Sequence, residues 1–192
     1  NNAFKKADAV VHLAYVNGTK YFYKQPVKIL EIAVKGIINV IDCCIKNEIK
    51  ELYLASSSEV YQTPNKIPTD ESEVLKIPDI YNPRFSYGGG KILTELMGIN
   101  YGRKYFKKLV IFRPHNVYGE RQNIMDPYRN VVGIFMRCAI EGKPFPVFGD
   151  GLQSRAFSYI GDLAPVIVES ALKTDCFNET FNIGSDEVST VK

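Results

Sequence analysis

Tyr87 and Lys91 lie four residues apart in the run Ser86-Tyr87-Gly88-Gly89-Gly90-Lys91. On a helix, residues at i and i+4 share a face, so a phenol and an ammonium would point the same way. A tyrosine holds its proton to about pH 10. A lysine cation ~4 Å away, at an effective dielectric of ~20, favours the phenolate by roughly 4 kcal/mol. That equals about three pKa units and would bring the phenol near neutral pH, where a general base works best. A triple serine, Ser56-Ser57-Ser58, lies upstream, and a hydroxyl from that strand end could share the proton and orient a substrate oxygen. The alternative for the pair is a surface tyrosine beside a solvated lysine.

The elements that must position these groups are legible as hydrophobic periodicity. Leu52-Tyr53-Leu54-Ala55 reads as a short strand, 51–55, running into the serines. Residues 86–106 read as the helix carrying Tyr87 and Lys91. Its three glycines cost about 1 kcal/mol each relative to alanine, so a ligand or another helix must approach that backbone closely. Residues 7–14 read as a fully buried strand followed by a polar loop, Asn17-Gly18-Thr19-Lys20. Residues 26–46 carry Ile29, Ala33, Ile37 and Ile41 at helical spacing, and 108–113 form the next strand. The prolines of 62–83 predict a long loop. Strand–helix–strand order implies a parallel sheet with right-handed crossovers. Beyond residue 118 the pattern predicts a loop to 130 and a helix over 131–142 closed by Gly142. A short strand at Pro146-Val147-Phe148, a helix over 162–173 and a strand-like Thr180–Gly184 follow.

Composition excludes more than it assigns. Of 192 residues, 45% are apolar, enough for a core, and 24 basic against 21 acidic residues leave a net charge of +3. The basic residues are scattered, which argues against a nucleic-acid partner. No apolar run approaches ~20 residues, so no membrane span is predicted. Cys43, Cys44, Cys138 and Cys176 show no C-x-x-C spacing, and the only histidines are His12 and His115. The reading is buried thiols in a reducing, cytoplasmic setting with no metal site. Both histidines read as packing residues.

An apolar strand, a small-Ser-Ser turn and then Y-x-x-x-K resemble the extended short-chain dehydrogenase/reductases, in particular the NAD-dependent nucleotide-sugar epimerase/dehydratase group. Ala9-Val10-Val11-His12-Leu13-Ala14 is similar to the family's "VVHLAA" strand. Phe112-Arg113-Pro114-His115-Asn116-Val117-Tyr118-Gly119 resembles its "R-x-x-N-x-Y-G" strand end. Phe148-Gly149-Asp150-Gly151-Leu152-Gln153-Ser154-Arg155-Ala156-Phe157 resembles its nucleotide-binding hairpin, and Tyr159-Ile160-Gly161-Asp162-Leu163-Ala164 the start of a late helix. The resemblance implies an α/β fold: a partial Rossmann-type doubly wound parallel sheet (1–118) plus part of a smaller substrate-binding subdomain (119–192), between which the chain interleaves. It implies Ser57, Tyr87 and Lys91 as catalytic residues, with Ser56 or Ser58 as alternatives to Ser57. It implies Ala14, Tyr87, Lys91 and Pro114 against NAD. Ser58, Asn116, Phe148 and Arg155 would lie against a nucleotide-diphosphate sugar, Arg155 as a fork to phosphate oxygens.

The departures from the family pattern matter as well. No G-x-x-G-x-x-G loop occurs in the chain, although that loop cradles the cofactor's diphosphate in a doubly wound fold. The reading is therefore an internal fragment, with N-terminal strands missing, that binds NAD weakly or not at all. Ala33-Val34-Lys35-Gly36 stands where many relatives place an asparagine against the cofactor, and Ser57-Ser58-Glu59 lacks the Asp-Glu pair of sugar 4,6-dehydratases. The resemblance then implies a UDP-glucose 4-epimerase-like enzyme. Tyr87 takes a sugar hydroxyl proton, hydride leaves the same carbon, and a keto-sugar turns over before reduction on its other face. A UDP-glucuronate decarboxylase and a non-catalytic nucleotide-binding remnant are the alternatives. The apolar edge at 7–14 and the glycine-lined helix predict a homodimer or higher homo-oligomer.

Overall fold

Alternation along two short strands sets the centre of the molecule. In β2 (Glu51–Ala55), Leu52 and Leu54 enter one apolar cluster while Tyr53 enters another. In β3 (Lys108–Pro114), Leu109 and Ile111 join the first cluster, and Val110 and Phe112 the second. A sheet apolar on both faces must be covered on both. Here α2 (Pro26–Lys46) and α3 (Ser86–Tyr105) cover one face, and α5 (Ile160–Leu172) covers the other through Leu163, Ile167 and Ala171. The structure is a computed structural model describing residues 3–128, 130–173 and 178–190. Arg129 and Cys176 thus fall outside the described residues.

The main sheet is wholly parallel, in the order β1-β2-β3-β7, with β1 at Ala9–His12 and β7 at Glu179–Ile183. This is an α/β, Rossmann-like arrangement. Although β7 lies far past residue 118, it returns to pair with β3. Two small sheets complete the described fold: β4 (Val117–Tyr118) with β6 (Ser158–Tyr159), and β5 (Ser154–Ala156) with β8 (Val188–Thr190). Between them lies α4 (Val131–Glu141), capped by the Asn130 side chain and closed by Gly142 in the left-handed region. Among the described residues no helix is long and apolar enough to cross a membrane.

Buried charge ties the layers together. Arg113 on β3 makes a two-pronged contact with Glu95 on α3, at 3.0 and 2.6 Å, and both side chains are buried. The same guanidinium donates to Tyr61 Oη (2.7 Å) and to the Glu71 carbonyl (3.1 Å). Tyr61 in turn donates to Asn182 on β7. At the far end of β3, buried Lys108 donates to the Ser170 and Lys173 carbonyls, each at 2.5 Å. A cation there complements the negative end of α5.

Three details correct the sequence reading. The first strand is Ala9–His12 and is not fully buried: Val11 is 47% exposed, because β1 pairs with β2 alone among the described strands. Thr19 and Lys20, read as loop, open the short helix α1 (Thr19–Lys24), which buries Phe22. Pro146-Val147-Phe148 forms no strand; this stretch is exposed and makes no ladder. The glycines of α3 have their explanation within the chain. A β-carbon at Gly90 would collide with Ala33 on α2 and with Tyr15, and one at Gly88 with the Glu59 carbonyl and Gln62.

Removing one partner of the Arg113–Glu95 pair strands a buried charge. Glu95→Ala is expected to destabilise the chain by about 3–5 kcal/mol, whereas Glu95→Leu combined with Arg113→Met should lose much less. Urea denaturation midpoints of the two variants check this, and equal losses would contradict it.

Candidate active site

The carboxyl ends of β1, β2 and β3 open into a cleft of about 690 Å³. Ligands of open parallel sheets bind at this edge. After β2 the chain leaves through Ser56 and Ser57 into a single 3-10 turn, Ser58–Val60, whose first amide positions are capped by Ser57: its Oγ accepts from the Glu59 amide at 3.2 Å. After β3, Pro114 and Asn116 enter the cleft, with Asn116 in the left-handed region at φ 40°. Asparagine tolerates that conformation better than most residues. The Asn116 amide donates to the Ala156 carbonyl (2.8 Å), tying the cleft to the end of β5.

Of the sequence-predicted residues, Ser57, Ser58, Tyr87, Pro114 and Asn116 all line this cleft. Lys91 lies behind it, 4% exposed. Ala14 is exposed just past β1. Phe148 is 75% exposed, and Arg155 is exposed and donates to the neighbouring Ser154 carbonyl; neither lines the cleft. Arg155 is nonetheless adjacent to Ala156, the residue bonded to Asn116. Three residues that the sequence did not single out also line the cleft: Phe22, stacked on Tyr87 at 5.0 Å, Arg84 and Asn130. Arg84 forms an ion pair with Glu59 at 3.6 Å across the cleft wall. Asn130 donates to the Val117 carbonyl and accepts from Gln122, bracing the opposite wall.

Of the three serines, Ser57 is the one whose side chain acts on the Tyr87 phenol, favouring its ionised form; Ser56 Oγ is buried with no hydrogen-bond partner among the described residues. The electrostatics of the pair differ from the sequence expectation. Burial pushes the Tyr87 phenol up to about 12, the Ser57 side chain pulls it down, and the Glu59 charge adds to the rise. Lys91 does not hold the phenol near neutral pH, because its ammonium points elsewhere. Nζ donates to the Ala55 carbonyl at 2.6 Å and lies 3.9 Å from the Tyr15 ring centre, against 5.9 Å from that of Tyr87. Burial lowers Lys91 to about 8, opposed by the Glu95 carboxylate.

His12 is half-buried, its pKa lowered by burial and then by the Lys91 charge. His115 pairs with the Ser185 carbonyl at 3.0 Å and does not line the cleft. No group of three or more potential metal ligands occurs among the described residues.

A parallel sheet covered on both faces, with Ser57, Tyr87 and Lys91 gathered at its carboxyl edge, is the arrangement of a short-chain dehydrogenase/reductase-like protein. Residues 1–184 match the NAD dependent epimerase/dehydratase family, and the chain belongs to it. It is 34% identical to a putative UDP-glucose 4-epimerase of Methanocaldococcus jannaschii, over 98% of this chain and 59% of that protein. It is 30% identical to a UDP-N-acetyl-alpha-D-glucosaminuronate decarboxylase of Bacillus cytotoxicus, over 96% of this chain and 56% of that one. The UDP-N-acetylglucosamine 4-epimerase of Methanobrevibacter ruminantium M1, solved with UDP-N-acetylmuramic acid, superposes with a TM-score of 0.88 at 28% identity. That match covers 99% of this chain and 59% of the solved one. The chain thus spans a little over half the length of each of these three proteins.

The family's cofactor is NAD, and the residues here fit one end of it. Lys91 has three ammonium donors and spends one on Ala55, and the unpartnered Ser56 hydroxyl lies in the cleft wall. The diphosphate end has no counterpart in a G-x-x-G-x-x-G loop of this sequence.

Lys91 opposes folding at the pH where it would act. Its folded pKa is depressed to about 8 from 10.5, so the unfolded chain binds more protons between those values and stability rises as pH climbs through that window. Lys91→Met should therefore stabilise the chain by roughly 1–3 kcal/mol at pH 7, with the advantage fading by pH 10.5. Denaturation curves at both pH values check the sign; a Met variant less stable at pH 7 would contradict it.

Proposed function

We propose that this chain carries the proton-transfer half of a UDP-glucose 4-epimerase-like nucleotide-sugar epimerase. The observation that supports it most is that Ser57 and Tyr87 line one cleft of about 690 Å³ together, a volume within the range that holds small organic ligands. Ser57 orients a sugar hydroxyl, and Tyr87 takes that proton and later returns it to the inverted alcohol. NAD, when bound, supplies reversible hydride acceptance, so the reaction has no net redox. Ala14, Lys91 and Pro114 stand on its side, and Ser58, Asn116, Phe148 and Arg155 on the side of the nucleotide sugar. Burial keeps the phenol protonated near neutral pH, so its base form requires added positive charge in the cleft.

A second reading is a UDP-glucuronate decarboxylase. Ser58, Glu59 and Arg84 line the cleft together, and a guanidinium there suits the planar carboxylate of an acid sugar. Product analysis separates the two: UDP-galactose from UDP-glucose supports the epimerase, and carbon dioxide from UDP-glucuronate supports the decarboxylase. Failure to bind any nucleotide sugar or NAD in equilibrium titration would favour a non-catalytic remnant. A symmetric homodimer belongs to this proposal, supported by exposed Leu30 and Ile38 on α2 and Leu96 on α3; light scattering showing a monomer would refute it.

Two substitutions test the assignments. In a full-length version of this protein, Tyr87→Phe should lower turnover by about 10²–10⁴-fold with nucleotide-sugar binding retained; a variant keeping more than about a tenth of the rate lies outside that range and contradicts the role. Arg155→Ala should weaken binding of UDP-type ligands by roughly 1.5–3 kcal/mol, the range for hydrogen bonds to charged groups. NAD affinity should stay constant, and equal losses for both ligands would place Arg155 elsewhere.

A further inference from the structure

Tyr15 has no part in the chemistry above, yet it sits directly behind the Tyr87–Lys91 pair. Its ring meets Tyr87 edge-on, with centres 5.2 Å apart and planes at 87°. Lys91 Nζ lies 3.9 Å from its ring centre, closer than to any other ring among the described residues. The Tyr15 hydroxyl is buried and has no hydrogen-bond partner among the described residues. That last fact decides between roles. A buried hydroxyl left unpaired is unfavourable, so the hydroxyl is not what holds the side chain in place. The ring's contacts must offset it, and the most directional of these is the cation over its face. Space for the end of the Tyr15 side chain depends on Gly90, where a β-carbon would strike the Tyr15 hydroxyl.

We propose that Tyr15 is a positioning residue, whose ring face holds the Lys91 ammonium on the Ala55 carbonyl and away from the Tyr87 phenol. The idea rests on reading Tyr87 and Lys91 as the proton-transfer pair, but its test needs no turnover. The groups around Lys91 are Tyr87 and Glu95 on α3, His12 on β1, the Ala55 carbonyl on β2 and Tyr15 itself. Glu95 is committed to Arg113, and His12 is disfavoured as a cation. Tyr15 is therefore the group whose change should alter the ammonium while leaving the other partners in place.

The experiment is a pH titration of the Lys91 side chain by carbon-13 lysine NMR on this chain, with the resonance assigned through Lys91→Arg. The wild-type midpoint is expected near about 8. Tyr15→Phe keeps the ring face and should leave it there. Tyr15→Leu keeps apolar bulk without the ring and should lower it by about 0.5–1.5 units, the shift corresponding to a desolvated cation–π contact. A Leu variant titrating with wild type overturns the proposal, as does a Phe variant shifting as far as Leu. Should the Leu variant not fold, pentafluorophenylalanine at position 15 preserves the shape and reverses the ring's charge distribution. A lowered midpoint there supports the proposal and an unchanged one overturns it. Absence of turnover in the wild-type protein would refute the proposed function and leave this titration intact.

Discussion

The buried contact between Arg113 and Glu95 is the constraint on which the site's geometry depends. Glu95 stands two helical turns beyond Tyr87 on α3, and Arg113 directly precedes Pro114 on β3. Fixing one to the other fixes the phenol relative to the strand end that bears Asn116. The guanidinium also reaches Tyr61 and the Glu71 carbonyl, so the long loop after the serines is held by the same group. Through Tyr61 and Asn182 the network extends to β7. An ion pair of this kind adds little net stability over an apolar replacement. What it provides here is register between a helix and a strand that otherwise meet through glycine and leucine, as at Gly102 against Leu109.

Around that anchor the cleft departs from the rules that the core obeys. Leu52, Leu54, Ile111 and Phe112 are close-packed and wholly apolar. Beside them are a buried lysine, three buried hydroxyls without partners among the described residues, at Tyr15, Ser56 and Ser86, and an asparagine in the left-handed region. Each is unfavourable alone, and their concentration at one sheet edge is the physical mark of a functional site.

Much of this was legible in the sequence. The limits of α2 and β2 follow from apolar spacing, and the Y-x-x-x-K spacing places Tyr87 and Lys91 on one helix beside the Ser57 strand end. Other features had no local signal. Strands of two or three residues, such as β4, β5 and β6, carry no period. An apolar run like that of β1 reads the same at the edge of a sheet as at its centre, which is why Val11's exposure was missed. Helical spacing shows which face Lys91 shares but not where its long side chain ends, so the partnership with Ala55 and Tyr15 was invisible. The partner of Arg113 is equally non-local, since nothing near Arg113 in sequence names Glu95.

The shared space of Ala33, Gly90 and Tyr15 has a consequence for how this protein can diverge. Three positions far apart in sequence occupy one volume, so their substitutions are not independent. A β-carbon at position 90 would meet the Tyr15 hydroxyl on one side and the Ala33 methyl on the other. The order of change is therefore constrained: position 90 can gain a β-carbon only once the side chains at positions 15 and 33 give way. A chain that keeps this tyrosine and alanine is held to glycine at position 90, an epistatic lock beside Lys91 that no single-site comparison would reveal.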